Sequence, residues 1–96
     1  MVDMLIAAAE IRLFAPWVHS LKEKRMEVKS LISRIQNKFH LSAAEIAEQD
    51  THQVIVLGVA GIAADAAQAD SILEHVVRFV EESTDAEITA VITEHR

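Results

Sequence analysis

The amino-acid sequence predicts an α+β domain in which four strands form one antiparallel sheet and two helices cover one of its faces. Two segments with helical periodicity, each preceded by an N-cap signature, alternate with segments that have strand periodicity or are apolar throughout. Ninety-six residues leave room for one hydrophobic core. We therefore expect a single domain over residues 1–96.

The first predicted strand covers residues 4–14. Its second half alternates Ala9, Ile11 and Leu13 with charged side chains, which is typical of a strand with one covered face. Pro16 then ends the strand, because proline has no amide hydrogen for a ladder hydrogen bond. A helix is the element expected next.

The first helix is predicted over residues 21–39. Ser20 and Glu23 have the spacing of a capping box, in which the serine oxygen accepts from a first-turn amide and the glutamate reaches back. Lys24 falls within the apolar stripe, and we expect its ammonium to reach a carboxylate such as Asp50 or a loop carbonyl. The apolar residues recur at spacings of three, four and seven and form one stripe: Leu21, Val28, Leu31, Ile32, Ile35 and Phe39.

The second half of the chain predicts two strands, a helix and a last strand. Residues 41–48 are short and acidic, as in a sheet edge, whereas residues 53–63 are apolar on both faces and indicate a central strand. Asp65 followed by Gln68 begins a second helix. Its predicted buried stripe is Ala69, Ile72, Leu73, Val76, Val77 and Val80. A last strand is predicted after residue 85, where Ile88, Ala90 and Ile92 alternate with polar residues.

The resulting order, βαββαβ, predicts a ferredoxin-like sandwich with a four-stranded antiparallel sheet and two helices on one face. Two βαβ halves with right-handed crossovers give this arrangement. The first and third strands then lie at the centre of the sheet.

Charge is unevenly distributed along the chain. The formal net charge is −6, but residues 22–38 contain six basic and two acidic residues and carry +4, so the remainder carries −10. On a helical wheel Lys22, Arg25 and Lys29 follow one another along one flank of the apolar stripe. We call these three residues the basic ridge.

The basic ridge predicts a contact with an anionic partner. A phosphate near His19 and Ser20 would meet the field of the helix N-terminus and a cationic side chain together. We expect a contact with the RNA backbone that does not depend on base sequence, or docking on an acidic protein. The alternative is a solvated face whose long aliphatic stems cover the edge of the core.

The run His-Ser-Leu-Lys-x-Lys-Arg at residues 19–25 resembles the YlxP-like family, as do the long basic helix, Gln53 and the later Leu57-Gly58-Val59-Ala60. This is a bacterial family of small ferredoxin-like domains of unknown function (domain of unknown function 503). The resemblance covers nearly the whole chain. It implies a link to translation or RNA, because genes of this family often lie beside those of translation initiation and ribosome maturation factors. It implies no catalytic residue.

The sheet face away from the helices is predicted to be apolar. A monomer rarely exposes an apolar patch larger than a few hundred Å². We therefore expect a homodimer, unless Glu10, Arg12 and the edge strands shield the patch. The expected interface residues, or their neighbours if the register is shifted by one, are Ile6, Ala8, Val54, Val56, Gly58 and Ala60.

The sequence offers few residues for catalysis. It has no cysteine, so disulfides and thiolate metal sites are excluded, and no two of its five histidines have the i, i+4 spacing of a helical metal pair. Its two glycines, Gly58 and Gly61, lie in a predicted strand and form no phosphate-binding loop. We expect no metal site, no cofactor and no enzymatic activity.

The aromatic residues bear on how the domain could contact RNA or another partner. The predicted central strands offer no aromatic side chain for base stacking, since Phe14 lies at a strand end. Trp17 is expected to close the open end of the core or to anchor a partner.

The start Met1-Val2-Asp3 has no basic region before its apolar run, and no apolar run reaches membrane-spanning length. We expect a cytoplasmic protein.

Overall fold

The computed structural model describes residues 3–96; Met1 and Val2, part of the chain start considered for targeting, lie outside the described residues. The elements are β1 (Leu5–Phe14), α1 (Leu21–Phe39), β2 (Ser42–Ala47), β3 (Val54–Ala63), α2 (Ala66–Ser83) and β4 (Glu87–His95). The strands form one antiparallel sheet in the order β2-β3-β1-β4. The predicted ferredoxin-like α+β fold is confirmed.

The core lies between the helices and the two central strands. Odd-numbered residues of β1 face the helices, and each pairs with a residue of β3 that faces the same way, as Ile11 does with Leu57. Full burial of each such large aliphatic side chain contributes about 1.5–3 kcal/mol. The helices add buried Val28, Leu31, Ile35, Ala69, Leu73, Val76 and Val80.

Both helices begin at the predicted caps. Ser20 Oγ accepts from the Glu23 amide at 3.1 Å, and Asp65 Oδ1 accepts from the Gln68 amide at 2.8 Å. The Glu23 carboxylate approaches Ser20 Oγ at 3.5 Å, and Gln68 Oε1 accepts from the amide of Ala64. Neither helix in the described part of the chain is long and apolar enough to cross a bilayer.

Lys24 is buried on the core side of α1, with 1% of its surface exposed. Its Nζ lies 2.9 Å from Glu45 Oε2 of β2 and also donates to the carbonyl oxygen of Glu48. The expected contact of the ammonium with a loop carbonyl is therefore present. The expectation that Asp50 supplies the carboxylate is wrong. Glu45 provides it instead, because helix-facing positions of β2 lie directly beneath this turn of α1.

A β-bulge changes the face that β4 presents. Arg12 pairs with Ala90 and Leu13 with Ile88, so Thr89 is the extra residue. Ile88 packs against the core, whereas Ile92 lies on the outer face and is 60% exposed. Simple alternation along this strand predicts that both isoleucines lie on the same face of the sheet. This prediction is wrong, because the bulge lies between them.

Candidate anion-binding ridge and outer sheet face

Three of the six basic residues of α1 have contacts inside the molecule. Lys24 is held by β2, as described. Arg34 Nη1 donates to the carbonyl oxygen of Ser83 at 2.7 Å, at the C-terminal end of α2, where cations stabilise free carbonyls. Lys38 Nζ lies 5.5 Å from the ring centroid of Phe79, within the range of a cation–π contact. These three cations therefore stabilise the fold.

The other three basic residues are the basic ridge, and all of them are exposed. None of Lys22, Arg25 and Lys29 forms an ion pair with any of residues 3–96. Spacings of three and four residues give the ridge a length of about 10 Å along the helix axis. Its charges are therefore available to an external anion.

The ridge faces away from α2. By helical geometry it lies on the flank of α1 opposite to Glu27 and Arg34, which contact α2 and the turn after it. Glu27 Oε1 accepts from Thr84 Oγ1 at 2.7 Å, so this carboxylate is directed away from the ridge. The positive charge of the ridge is thus not offset by acidic neighbours on its own flank.

His19 and Ser20 were also predicted to bind the anion. His19 is exposed, but the hydroxyl of Ser20 is engaged by the amide and carboxylate of Glu23. A carboxylate in the first turn already occupies the favourable field of the helix N-terminus. The side chains of the ridge, rather than the N-terminus of the helix, are therefore the groups that remain able to bind a phosphate. The roles of His19 and Ser20 remain predictions.

The turn that leads into α1 is fixed to the sheet. The Ala15 amide donates to the Gln53 carbonyl at 2.8 Å, and Gln53 Nε2 donates to the Pro16 carbonyl at 2.9 Å. Val18 is buried, whereas Trp17 remains 40% exposed. The turn thus presents part of the indole ring to solvent, close in sequence to the ridge.

The predicted interface residues all lie on the sheet face away from the helices. Ile6 pairs with Ile62 and Ala8 with Ala60, which confirms the unshifted register. Ile6 is 45% exposed, and Ala8, Val54, Gly58 and Ala60 are half-buried. The prediction of an interface residue is wrong for Val56. This side chain faces outward but is fully buried, so it has no surface with which to contact a partner.

Three further exposed isoleucines of this face were not predicted as interface residues. Ile46, Ile62 and Ile92 are 49%, 71% and 60% exposed. The bulge in β4 conceals Ile92 from a simple alternation pattern, because it shifts the following residues to the other face, whereas Ile46 lies on the same face as Ala44, as alternation along β2 indicates. Between these two isoleucines lies an open depression of about 450 Å³ whose floor includes Ala8, Ala44, Gly58 and Ala60.

Two pairs of oppositely charged side chains lie on the outer face. Arg12 Nε lies 3.0 Å from Glu10 Oε2, and Arg96 Nη2 lies 2.9 Å from Glu94 Oε2. The hydrogen bond from Arg96, aided by its charge, lowers the pKa of the Glu94 carboxyl below its usual value. The shielding considered as the alternative to a dimer is therefore partial: Val56 is fully buried, whereas Ile62 and Ile92 remain exposed.

One aromatic ring reaches the outer face. Phe14 is the last residue of β1, pairs with Val54 and is 37% exposed. As expected, this ring stands at the strand end, and the other residues of β1 and β3 include no aromatic side chain. A single ring at the sheet end does not make the multi-base platform that RNA-recognition sheets use. Within residues 3–96, no group of three His, Cys, Asp or Glu residues could hold a metal ion.

The comparisons with known proteins agree with the resemblance inferred from residues 19–25. The family model described as Protein of unknown function (DUF503) matches residues 6–93. Uncharacterized protein YlxP from Bacillus subtilis (strain 168) is 39% identical over 75 residues, which are 78% of this chain and 82% of that protein.

Two solved structures align over 98% of this chain with a TM-score of 0.48 each. The de novo designed protein Foldit4 is 12% identical, with 97% of its chain covered. The intact alpha subunit of aIF2 from Pyrococcus abyssi is 13% identical, with 34% of its chain covered. On the family match and the identity to the Bacillus protein, this chain belongs to the YlxP-like DUF503 family.

Proposed function

We propose that this domain is a non-enzymatic RNA-binding module that contacts the phosphate backbone through the basic ridge. The supporting observation is the contrast within α1. Lys24, Arg34 and Lys38 have contacts inside the molecule, whereas the three ridge residues have no ion-pair partner among residues 3–96. Exposed cations aligned on one helix flank suit a partner with regularly repeated negative charge.

The charge distribution restricts the contact to this ridge. Outside residues 22–38 the chain carries a formal charge of −10, so most of the surface repels a polyanion. An RNA strand would therefore approach α1 and avoid α2, where Asp70, Glu74 and Glu81 are exposed. Lysine and arginine contacts to phosphate carry no sequence information, so the expected binding is independent of base sequence.

An aromatic ring near the ridge favours RNA over an acidic protein. Trp17 is partly exposed in the turn immediately before α1, and unpaired bases stack on exposed aromatic rings. An acidic polypeptide would use the ridge but would gain little from the indole. The link to translation implied by the family resemblance agrees with this choice.

Fluorescence anisotropy with a labelled single-stranded oligoribonucleotide tests the proposal. The ridge variant Lys22→Gln/Arg25→Gln/Lys29→Gln is compared with the control Arg12→Gln/Arg78→Gln/Arg96→Gln. Each variant removes three positive charges, so both have a formal charge of −9 instead of −6. The control residues are not fully buried, and Arg12 and Arg96 lie in partly exposed or exposed pairs that contribute little to stability.

We expect the ridge variant to lose at least about tenfold in affinity and the control to stay near wild type. Equal losses in both variants would mean that only net charge matters. Undiminished binding by the ridge variant would remove the ridge from the interface. A polyglutamate peptide that bound as tightly as the RNA would instead identify an acidic protein as the partner.

A second candidate function is assembly as a homodimer through the outer sheet face. The observation that favours it is the set of exposed isoleucines around a floor of alanine and glycine, where small side chains let two sheets approach closely. A twofold axis would make this face self-complementary. Because the ridge lies on the helix side, such a dimer would carry two ridges that remain accessible to RNA.

A further inference from the structure

Strand β4 is an edge of the sheet, and its residues 89–94 are exposed on both faces. Ile92 on the outer face is 60% exposed, and Val91 on the helix side is 39% exposed. The helices do not cover β4 fully, because an open groove of about 670 Å³ separates it from α2. The groove is lined by apolar Leu73, Val77 and Val91 and also by charged side chains of α2.

The free edge of β4 carries hydrogen-bonding groups with a defined spacing. Arg96 exchanges both of its backbone hydrogen bonds with Ile6 of β1. Because such pairs recur at every second residue of an antiparallel ladder, the intervening residues direct their amide and carbonyl groups away from β1. These outward residues are Val91, Thr93 and His95.

The two edges of the sheet differ in how they are protected. β2 is short, contains a bulge and places charged Glu45 on its inward face, all features that discourage pairing with another strand. β4 is nine residues long, and after its bulge at Thr89 it pairs regularly with β1 up to its end. It has no proline or glycine to interrupt a further strand. β4 is therefore the edge suited to receive one.

The charge pattern of β4 fits an antiparallel copy of itself. Acidic Asp85 and Glu87 stand at or just before its start, and Glu94, His95 and Arg96 stand at its end. An antiparallel partner centred on Val91 brings Arg96 of each copy close to Glu87 of the other, whereas a parallel partner would oppose the like charges of the two starts. The intramolecular pairs of His95 with Asp70 and of Arg96 with Glu94 are partly or fully exposed and weak enough to rearrange.

We propose that β4 pairs with β4 of a second copy about a twofold axis near Val91, which joins two four-stranded sheets into one eight-stranded sheet. The two Val91 side chains then meet on the helix side, beside the groove of each copy. On the outer face, Ile92 of each copy lies next to Ala90 of the other. This interface is distinct from the outer-face dimer and leaves the basic ridge free.

Sedimentation velocity at tens of micromolar tests the pairing with Thr93→Pro, with Thr93→Ala as the matched control. The Thr93 amide points away from β1, so proline removes a hydrogen bond to the second copy but none within the sheet. We expect Thr93→Pro to halve the mass of the wild-type species, from dimer to monomer or, if the outer face also pairs, from tetramer to dimer. Thr93→Ala should keep the wild-type mass.

A second variant covers the case in which proline prevents folding. Val91→Lys places a charge on an exposed position of the edge, and its far-ultraviolet circular dichroism should match wild type while its mass is halved. A folded Thr93→Pro or Val91→Lys protein with the wild-type mass would overturn the proposal, as would a monomeric wild type. Ile62→Asp tests the outer face separately, so loss of the outer-face dimer can be distinguished from loss of the β4 pairing.

Discussion

Lys24 of α1 and Glu45 of β2 form a buried ion pair, with 2.9 Å between Nζ and Oε2 and side-chain exposures of 1% and 16%. The ammonium also donates to the Glu48 carbonyl. Apart from the ion pair, Glu45 Oε2 has no hydrogen-bond partner in the described part of the chain. Each charge therefore depends on the other, and the pair connects the first turn of α1 to an edge strand.

Lys24→Met should destabilise the fold by about 3–5 kcal/mol, because it leaves the Glu45 carboxylate buried without its cation. The double variant Lys24→Met/Glu45→Leu should recover a substantial part of that loss, since it removes both charges. Urea unfolding of wild type, both single variants and the double variant measures the coupling. Additive effects of the two substitutions would show that the ion pair has no energetic role.

Gly61→Ala should destabilise the protein by about 1–3 kcal/mol through overpacking. A Cβ atom at Gly61 would overlap Cδ2 of Leu41, which is buried and has little room to move. Gly58→Ala is the matched control, because its Cβ would meet Cγ2 of Ile46, a half-exposed side chain that can turn toward solvent. Thermal unfolding that ranked Gly58→Ala as the more harmful change would contradict this packing.

Ile62→Asp should dissociate the outer-face dimer without unfolding the protein, because this side chain is 71% exposed. Met26→Asp is the control: Met26 is 65% exposed on α1, so the same chemical change occurs away from the sheet. Sedimentation should show a smaller species only for Ile62→Asp. If neither variant changed the mass, the outer face would not be an interface. Val56→Asp, in contrast, should unfold the chain because Val56 is fully buried.

Trp17 should report RNA binding directly, because it is the only tryptophan in the chain and stands in the turn before the ridge. We expect oligoribonucleotide to quench its fluorescence. Trp17→Ala should weaken binding by about 1–3 kcal/mol per stacked base, and Trp17→Phe should retain most of the affinity. Unchanged fluorescence at saturating RNA would place the strand away from this turn.

The sequence predicted the fold well because its local signals agree with one another. The caps at Ser20 and Asp65 set both helix starts, and Pro16 lies between β1 and α1. The order of strands then follows from right-handed crossovers. The interior position of Lys24 was also predictable, because the helical wheel places it within the apolar stripe.

The details that escaped prediction depend on contacts distant in sequence. The bulge in β4 arises from pairing with β1, so the exposure of Ile92 on the outer face could not be read from alternation. Likewise, which cations of α1 are engaged depends on α2, whose Ser83 carbonyl and Phe79 ring receive Arg34 and Lys38. These contacts distinguish Arg34 and Lys38 from the three ridge residues, which form no ion pair with residues 3–96.

The salt dependence of RNA binding tests the central claim most directly. In a plot of the logarithm of the binding constant against the logarithm of the salt concentration, each phosphate contact to a single strand contributes a slope of about −0.7. Three contacts therefore give a slope of about −2. We predict this slope for wild type and for the control lacking Arg12, Arg78 and Arg96, and a slope near zero for the ridge variant. A ridge variant that retained the wild-type slope would contradict the account.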